Sequence, residues 1–124
     1  MKHLLILSTI LLLFSACSKQ EQPKEFSPTG KTYAAFAYKS VISNSDIYDV
    51  YRFTSKTQVE YTGREGSPSG RIMGSPETYT YTLAYPSMTM HNSSGQLLLP
   101  FTFISESTFR MTDSRGITYE YNLQ

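Results

Sequence analysis

Apolar and polar residues alternate strictly in one segment of this chain, and the alternation limits the folds open to it. Between residues 77 and 85, Tyr79, Tyr81, Leu83 and Tyr85 alternate with three threonines and an alanine. Successive side chains of a β-strand point to opposite faces, so all four large side chains share one face. Aromatic and β-branched residues also fit a pleated, half-buried surface. The segment therefore predicts a strand with one face in a core.

Seven further segments repeat this pattern, separated by Gly, Pro, Asn, Asp and Ser, and no segment after residue 30 has a useful helical period. In the first three of these segments the residues predicted to share a face are Phe36 and Tyr38 (residues 31 to 38), Ile47, Tyr51 and Phe53 (46 to 54), and Val59 and Tyr61 (57 to 62). In the last four they are Met88 and Met90; Leu97, Leu99, Phe101 and Phe103; Phe109 and Met111; and Ile117, Tyr119, Tyr121 and Leu123.

Short connections between these segments predict the order in which the strands pair. Ser55-Lys56, Asn92 to Gly95 and Asp113 to Gly116 suit hairpins, and consecutive hairpins form a meander. Eight strands in a meander leave two unpaired edges unless the first strand pairs with the last. The predicted fold class is therefore all-β, a small eight-stranded antiparallel up-and-down barrel over residues 30 to 124, with an open sandwich as the alternative.

The first sixteen residues have the three-part layout of a signal peptide, with a basic start, an apolar run of eleven residues and two small residues. The tetrad Phe14-Ser15-Ala16-Cys17 resembles the lipobox of bacterial lipoproteins. That resemblance implies cleavage before Cys17, attachment of palmitate-type acyl chains to Cys17 and stable anchoring in a membrane. The alternative is a plain secretory signal in which Cys17 is incidental.

Residues 17 to 29 are polar and proline-containing and are predicted to form a flexible, lipid-anchored tether. We expect the protein in the cell envelope, at the outer membrane. The Lys and Glu residues near Cys17 loosely resemble the charged segment that directs surface export of Bacteroidota lipoproteins, but an acidic cluster is missing. Periplasmic and surface display both stay open.

The ending FISESTFRMTDSRGITYEYNLQ, with the opening GKTYAAFAY, resembles the lipocalin-like domains of small Bacteroidota lipoproteins. In those domains an eight-stranded calycin-like barrel ends in a hairpin around a turn like Asp113 to Gly116. The chain departs from lipocalins proper in having no Trp. The resemblance implies the fold more than a ligand.

Several function classes are disfavoured by composition and spacing. Cys17 is the only cysteine, so the processed chain has no disulfide or cysteine-based metal site. Without Lys2, ten Lys and Arg balance ten Asp and Glu, whereas nucleic-acid binders carry a basic excess. No catalytic motif surrounds His91, and on a strand it faces away from Met88 and Met90, which argues against a copper site. We expect no cofactor, no metal and no enzymatic activity.

Tyrosine bulk predicts a lumen that is mostly filled, with any site at a shallow mouth or on the outer surface. The candidate ligand-binding residues are the aromatic Tyr79, Tyr81 and Tyr85, with Arg64 and Arg71 in an irregular, glycine-rich loop predicted over residues 63 to 76. Asp46 and Asp49 fall on opposite faces of a strand, so no carboxylate pair is expected.

The predicted function is a non-catalytic envelope lipoprotein whose barrel binds a small molecule, glycan or polypeptide. The alternatives are a structural or assembly subunit of an envelope complex and an inhibitor of a hydrolase.

Overall fold

The computed structural model describes residues 25 to 98 and 100 to 124, and within these ranges it contains strands and no helix. The predicted signal peptide and Cys17 lie outside the described residues. No helix in the described part of the chain is long and apolar enough to cross a membrane. The eight strands are β1 (Thr32–Lys39), β2 (Asp46–Phe53), β3 (Gln58–Glu65), β4 (Arg71–Ala84), β5 (Ser87–His91), β6 (Phe101–Ser105), β7 (Thr108–Thr112) and β8 (Thr118–Leu123).

Each strand pairs antiparallel with the next in sequence, and β8 returns to pair with β1, so the sheet closes into an up-and-down barrel. Closure is made by the pairs Tyr33–Leu123 and Ala34–Asn122. A closed sheet leaves no unpaired edge. The predicted fold class is confirmed, and the open sandwich is excluded.

Aromatic side chains fill the middle of the barrel. Phe109 is fully buried and packs against six other rings, from Tyr121, stacked at 4.8 Å between centroids, to Phe53 at 6.3 Å. Strand alternation brings one large residue inward every second position, so eight short strands supply enough bulk to close the lumen. The buried core consists of Tyr33, Ala35, Tyr51, Phe53, Val59, Tyr81, Met88, Met90, Phe101, Phe103, Phe109 and Tyr121.

The prediction that Phe36 and Tyr38 share a face is wrong. Tyr33 and Ala35 are the residues of β1 in the core cluster, whereas Phe36 is 52 % exposed and pairs with Tyr48. A bulge between Phe36 and Tyr38 then shifts the register, so that Tyr38 pairs with Ile47. One extra residue in a bulge reverses the side-chain alternation after it.

The prediction of an irregular loop over residues 63 to 76 is wrong for most of that range. β3 continues to Glu65 and β4 already begins at Arg71, which leaves a turn at residues 66 to 70. Ladder hydrogen bonds use only backbone groups, so a glycine-rich sequence can continue a hairpin that the neighbouring strands have started.

Packed structure begins before Gly30, where the barrel domain was predicted to start. Pro28 is fully buried, and Phe26 packs on the core. The backbone N–H of Gly30 then donates to the carbonyl of Phe53 at 2.8 Å. Phe26 and Pro28 therefore pack at the barrel end, within the range predicted as a tether.

Candidate functional site

The up-and-down topology divides the connections between the barrel's two ends. One end, here the capped end, carries residues 26 to 30 and the turns that follow β2, β4 and β6. The other end, here the mouth, carries the turns at 40 to 45, 66 to 70, 92 to 96 and 113 to 117. The two ends differ in packing and in chemistry.

Aromatic packing closes the capped end. The ring of Phe26 meets Phe103 edge-on at 5.0 Å and Tyr85 at 5.2 Å, and the Lys31 ammonium lies 4.8 Å from the Phe26 ring centroid. Such edge contacts add stability beyond the area they bury. A pocket of about 430 Å³ lies beside Phe26 and Tyr81, and Glu25, Lys56 and Leu83 also line it.

Tyrosine hydroxyls at the capped end donate to backbone carbonyls. Tyr33 donates to Glu106 O at 2.7 Å, and Tyr81 donates to Ser55 O at 2.8 Å. Burial raises the pKa of Tyr33 to about 12. These hydroxyls are neutral and satisfied, which is a stable way to end a tyrosine-rich core.

A bulge in β4 shapes the mouth. Tyr61 pairs with Glu77 and Gly63 with Met73, so residues 74 to 76 lie opposite Thr62 alone. Gly74 has φ +73°, a conformation that favours glycine, and Pro76 needs no ladder donor. The chain bends away from β3 there and leaves room for a pocket.

This mouth pocket has a volume of about 280 Å³. Its walls combine the rings of Tyr38 and Tyr61, the aliphatic side chains of Ile47 and Met73, and the carboxylates of Asp49 and Glu77. Gly63 also lines it, and a Cβ placed there would lie 3.8 Å from the Met73 Cβ, an ordinary contact distance. The pocket therefore combines apolar and acidic walls.

Asp49 is the most unusual residue of the mouth pocket. The Tyr61 hydroxyl donates to its Oδ1 at 2.7 Å. Burial raises the pKa of Asp49, and the Tyr61 hydrogen bond opposes that rise only in part. Within the described residues nothing donates to Oδ2, and no buried side-chain polar atom lacks a partner. Oδ2 is therefore accessible from the pocket.

Further tyrosines support the wall behind Asp49. Tyr79 stacks on Tyr61 at 6.0 Å with 21° between the ring planes, and its hydroxyl donates to the Glu77 carboxylate. Tyr51 lies 5.2 Å from both Tyr61 and Tyr121. Burial, reinforced by a hydrogen-bonded carboxylate, raises the pKa of Tyr61 and of Tyr79, so both hydroxyls keep their protons at neutral pH.

Of the three tyrosines predicted as ligand-binding, Tyr79 and Tyr81 lie in β4 and Tyr85 directly follows its last residue, and the structure does not bring them to one place. Tyr79 stands at the mouth, Tyr81 is buried toward the capped end, and Tyr85 packs on Phe26. Each two-residue step moves about 6.6 Å along a strand. Of the three, only Tyr79 belongs to the mouth.

Neither predicted arginine lines the mouth pocket. Arg64 donates to Thr62 Oγ1 at 3.2 Å and to Gly70 O at 2.9 Å, on the outer face of β3. Arg71 forms an ion pair with Glu65 at the rim. Both guanidinium groups already have partners within the hairpin.

Sequence reasoning missed Asp49, Glu77 and the β4 bulge. Ile47, Asp49 and Tyr51 alternate along β2 and share its inward face. This spacing alone predicts that the Asp49 carboxylate faces the lumen. Glycine and proline inside an apolar strand pattern also indicate a bulge, and Gly74-Ser75-Pro76 has both.

Met88 and Met90 are core residues, at 1 % and 0 % exposure, and His91 points to the opposite face of β5. Glu60 and Glu120 lie on the outer face, where they pair with Arg52 and Arg110. In the described ranges no three His, Cys, Asp or Glu residues form a group that could hold a metal ion.

No protein-family model, curated protein or solved structure matches this chain. The functional argument consequently rests on the residues and geometry of the barrel.

Proposed function

We propose that this protein is a non-catalytic, lipid-anchored binding module of the bacterial envelope, and that its ligand enters the mouth pocket. The observation that carries the proposal is the accessible Asp49 carboxylate at the end of an otherwise filled barrel. Packed cores exclude carboxylates unless these are paired, so an inward Asp beside an open pocket favours a ligand.

The position of His91 argues against catalysis in this pocket. It is the only histidine after the signal segment and is not among the pocket residues. The hydrogen bond from Tyr61 fixes the Asp49 carboxylate in place. A fixed carboxylate is suited to binding a ligand group. We therefore assign the mouth pocket to recognition.

The proposed anchor orients the barrel. Eight residues lie between Cys17 and Phe26, and the nine steps that join the two span at most about 32 Å when extended. Because Phe26 packs on the capped end, lipid on Cys17 keeps that end toward the membrane and leaves the mouth pointing away. We expect Cys17→Ser to release the protein from membrane fractions.

Thermal unfolding of the full chain in non-ionic detergent tests the binding function. A panel of amines, glycans and short peptides is screened, since a ligand at 100 times its Kd adds about 2.7 kcal/mol of stability. Gly63→Leu should fill the mouth pocket and abolish the shift. Thr82→Leu, on the exposed outer face of β4, is the matched control and should retain it. A shift that survives Gly63→Leu would remove the mouth from the proposal.

A second candidate, an accessory subunit of an envelope complex, is favoured by the turn at residues 40 to 45. Val41 and Ile42 are 98 % and 96 % exposed at its tip. Two adjacent, fully exposed aliphatic residues at the mouth offer a small apolar contact for another protein. A photo-crosslinker at Ile42 in intact cells should capture one stoichiometric partner, whereas one at Ser94, in another mouth turn, should not. Equal products at both positions would contradict this candidate.

A further inference from the structure

The mouth pocket offers negative charge and hydrogen-bond acceptors with no matching cation. We propose, resting on the binding function above, that it holds the primary ammonium group of an amine ligand, with Asp49 as the counter-ion and Tyr61 and Tyr38 as aromatic walls. Four properties of the described residues support this ligand class: the direction of the hydrogen bonds, the balance of charge, the aromatic surface and the aliphatic surface.

The hydrogen-bond direction favours a donor. The Tyr61 hydroxyl gives its hydrogen to Asp49, and the Tyr79 hydroxyl gives its hydrogen to Glu77. Both carboxylates accept only, and both phenol oxygens retain lone pairs. A ligand that reaches Asp49 Oδ2 must therefore bring its own N–H or O–H groups, and an ammonium group brings three.

The charge balance favours a cation over a neutral donor. Asp49 and Glu77 both line the pocket, and none of its described lining residues is Lys or Arg. Arg71 at the rim is paired with Glu65, and Arg64 lies on the outer face. Burial raises the pKa of Asp49 because it disfavours the charged carboxylate. An opposite charge within about 4 to 6 Å would favour that charged form.

The walls favour an organic cation over a metal ion. Calcium takes six to eight oxygen ligands, whereas this pocket combines two carboxylates with rings and aliphatic side chains. The faces of Tyr38 and Tyr61 attract a cation through their quadrupoles. Ile47 and Met73 give an alkyl stem an apolar surface. An ammonium group on a short alkyl chain satisfies both kinds of wall.

Two sources carry this chemistry: the side chain of a lysyl residue in a peptide and a free alkyl diamine. The pocket is at the end of the barrel, beside Gly74 and Ser75, so a longer molecule can extend outward from it. The test therefore compares both sources.

In the test, the full chain in non-ionic detergent is titrated with pentylamine, and binding is monitored by calorimetry and by fluorescence. The fluorescence signal comes from tyrosine, because the chain has no Trp. We expect pentylamine to bind at least tenfold more tightly than 1-pentanol, which has the same chain without the charge. Tetramethylammonium, which has charge but no N–H, should fall between them. Equal binding of pentylamine and 1-pentanol would overturn the proposal.

Two matched variants locate the amine. Asp49→Asn keeps an acceptor for Tyr61 and removes the charge, and we expect it to weaken pentylamine binding at least tenfold. Asp46→Asn removes a charge from the same strand but on the outer face, and it should bind as the wild type does. Unchanged affinity in Asp49→Asn would refute the counter-ion role.

Acidification gives an independent readout. The groups around Asp49 are Tyr61 on β3, Glu77 and Tyr79 on β4, Tyr38 on β1, Tyr121 on β8 and Tyr51 on its own strand. Burial raises the pKa of Tyr51, Tyr61, Tyr79 and Tyr121, so these four hydroxyls keep their protons as the pH falls. Burial also raises the pKa of Asp49, so its carboxylate loses its charge on acidification and amine affinity should fall with that charge. An affinity independent of pH down to 3 would contradict the proposal.

The outcomes separate this inference from the binding function on which it rests. Comparison of 1,5-diaminopentane with an Nα-acetyl-lysine amide then identifies the preferred source. If a glycan or an amine-free peptide binds, and Gly63→Leu but not Asp49→Asn abolishes its binding, the amine inference fails and the binding function stands. If no ligand of any class binds at the mouth, both fail.

Discussion

Tyrosines end the core at both ends of the barrel, but their hydroxyls have different acceptors. At the capped end Tyr33 and Tyr81 donate to backbone carbonyls, whereas at the mouth Tyr61 and Tyr79 donate to carboxylates. Tyr79 and Tyr81 are two residues apart on one strand. The same residue type thus meets neutral acceptors at the capped end and acidic acceptors at the mouth.

The difference extends to packing. Phe26 adds a ring from outside the strands to the capped end, while the β4 bulge takes backbone away from the mouth. One end gains apolar contact area and the other gains open volume. Stability should therefore depend on the middle and the capped end, and binding on the mouth.

Phe109→Ala should have the largest effect on stability. Its ring is fully buried among six others, and truncating such a phenylalanine costs about 3 to 5 kcal/mol. Denaturant unfolding of the full chain measures the loss. Phe36→Ala, which truncates the same residue type on the outer face, should cost less than about 1 kcal/mol. Similar losses in both variants would mean that the lumen is not the stabilising core.

Phe26→Ala should destabilise the capped end alone, by about 2 kcal/mol, through lost burial and two edge contacts. Denaturant unfolding measures this loss, and ligand titration checks that the mouth is unaffected. A change in ligand affinity at the mouth would show that the two ends are coupled, and it would contradict the separate roles of the two ends.

Tyr61→Phe should cost about 1 to 2 kcal/mol at pH 7, because it removes the hydrogen bond to a partly buried carboxylate. The loss should shrink in acid, where Asp49 is protonated. Tyr79→Phe is the control, since its acceptor Glu77 is exposed and the expected cost is below about 0.5 kcal/mol. Denaturant unfolding at pH 7 and at pH 3 measures the loss of stability in each variant. An equal loss at both pH values in Tyr61→Phe would show that the Asp49 charge does not contribute to this hydrogen bond.

Asp49→Asn should have the smallest effect on stability and the opposite sign. The pKa of Asp49 is raised in the folded state, so its contribution is fully present below the ordinary value of 3.8 and is lost as the pH rises through the folded value. At pH 7 the charged carboxylate opposes folding, and the amide removes that opposition. A melting temperature above that of the wild type at pH 7, with the difference vanishing near pH 3, is expected. A lower value at pH 7 would mean that the charge is already compensated.

The sequence was informative where alternation was strict and short turns connected the strands. Phe101, Phe103 and Phe109 follow a period of two and are buried as that period predicts. It failed at Phe36, because a one-residue bulge after it reverses the alternation. It also failed at Gly74, because glycine and proline there indicated a loop, whereas the structure has a bulge within β4.

The candidate site was harder to derive than the fold. Tyrosine bulk predicted a site at a mouth or on the outer surface, but it did not predict the residues of the mouth pocket. The side chains of Asp49 and Glu77 come together only through strand pairing and the bulge. Arginine content in a glycine-rich stretch favoured Arg64 and Arg71, whose guanidinium groups have partners that no sequence pattern shows.

The ladders around the ring are unequal in length. Among the described residues β1 joins β8 through two residue pairs, and β5 joins β6 through two, Ser87–Thr102 and Met88–Phe101, whereas β2 and β3 share seven. These two junctions divide the barrel into a sector of five strands and a sector of three. Native-state amide exchange should therefore resolve two opening units, with β6 to β8 exchanging at lower free energy than β2 and β3.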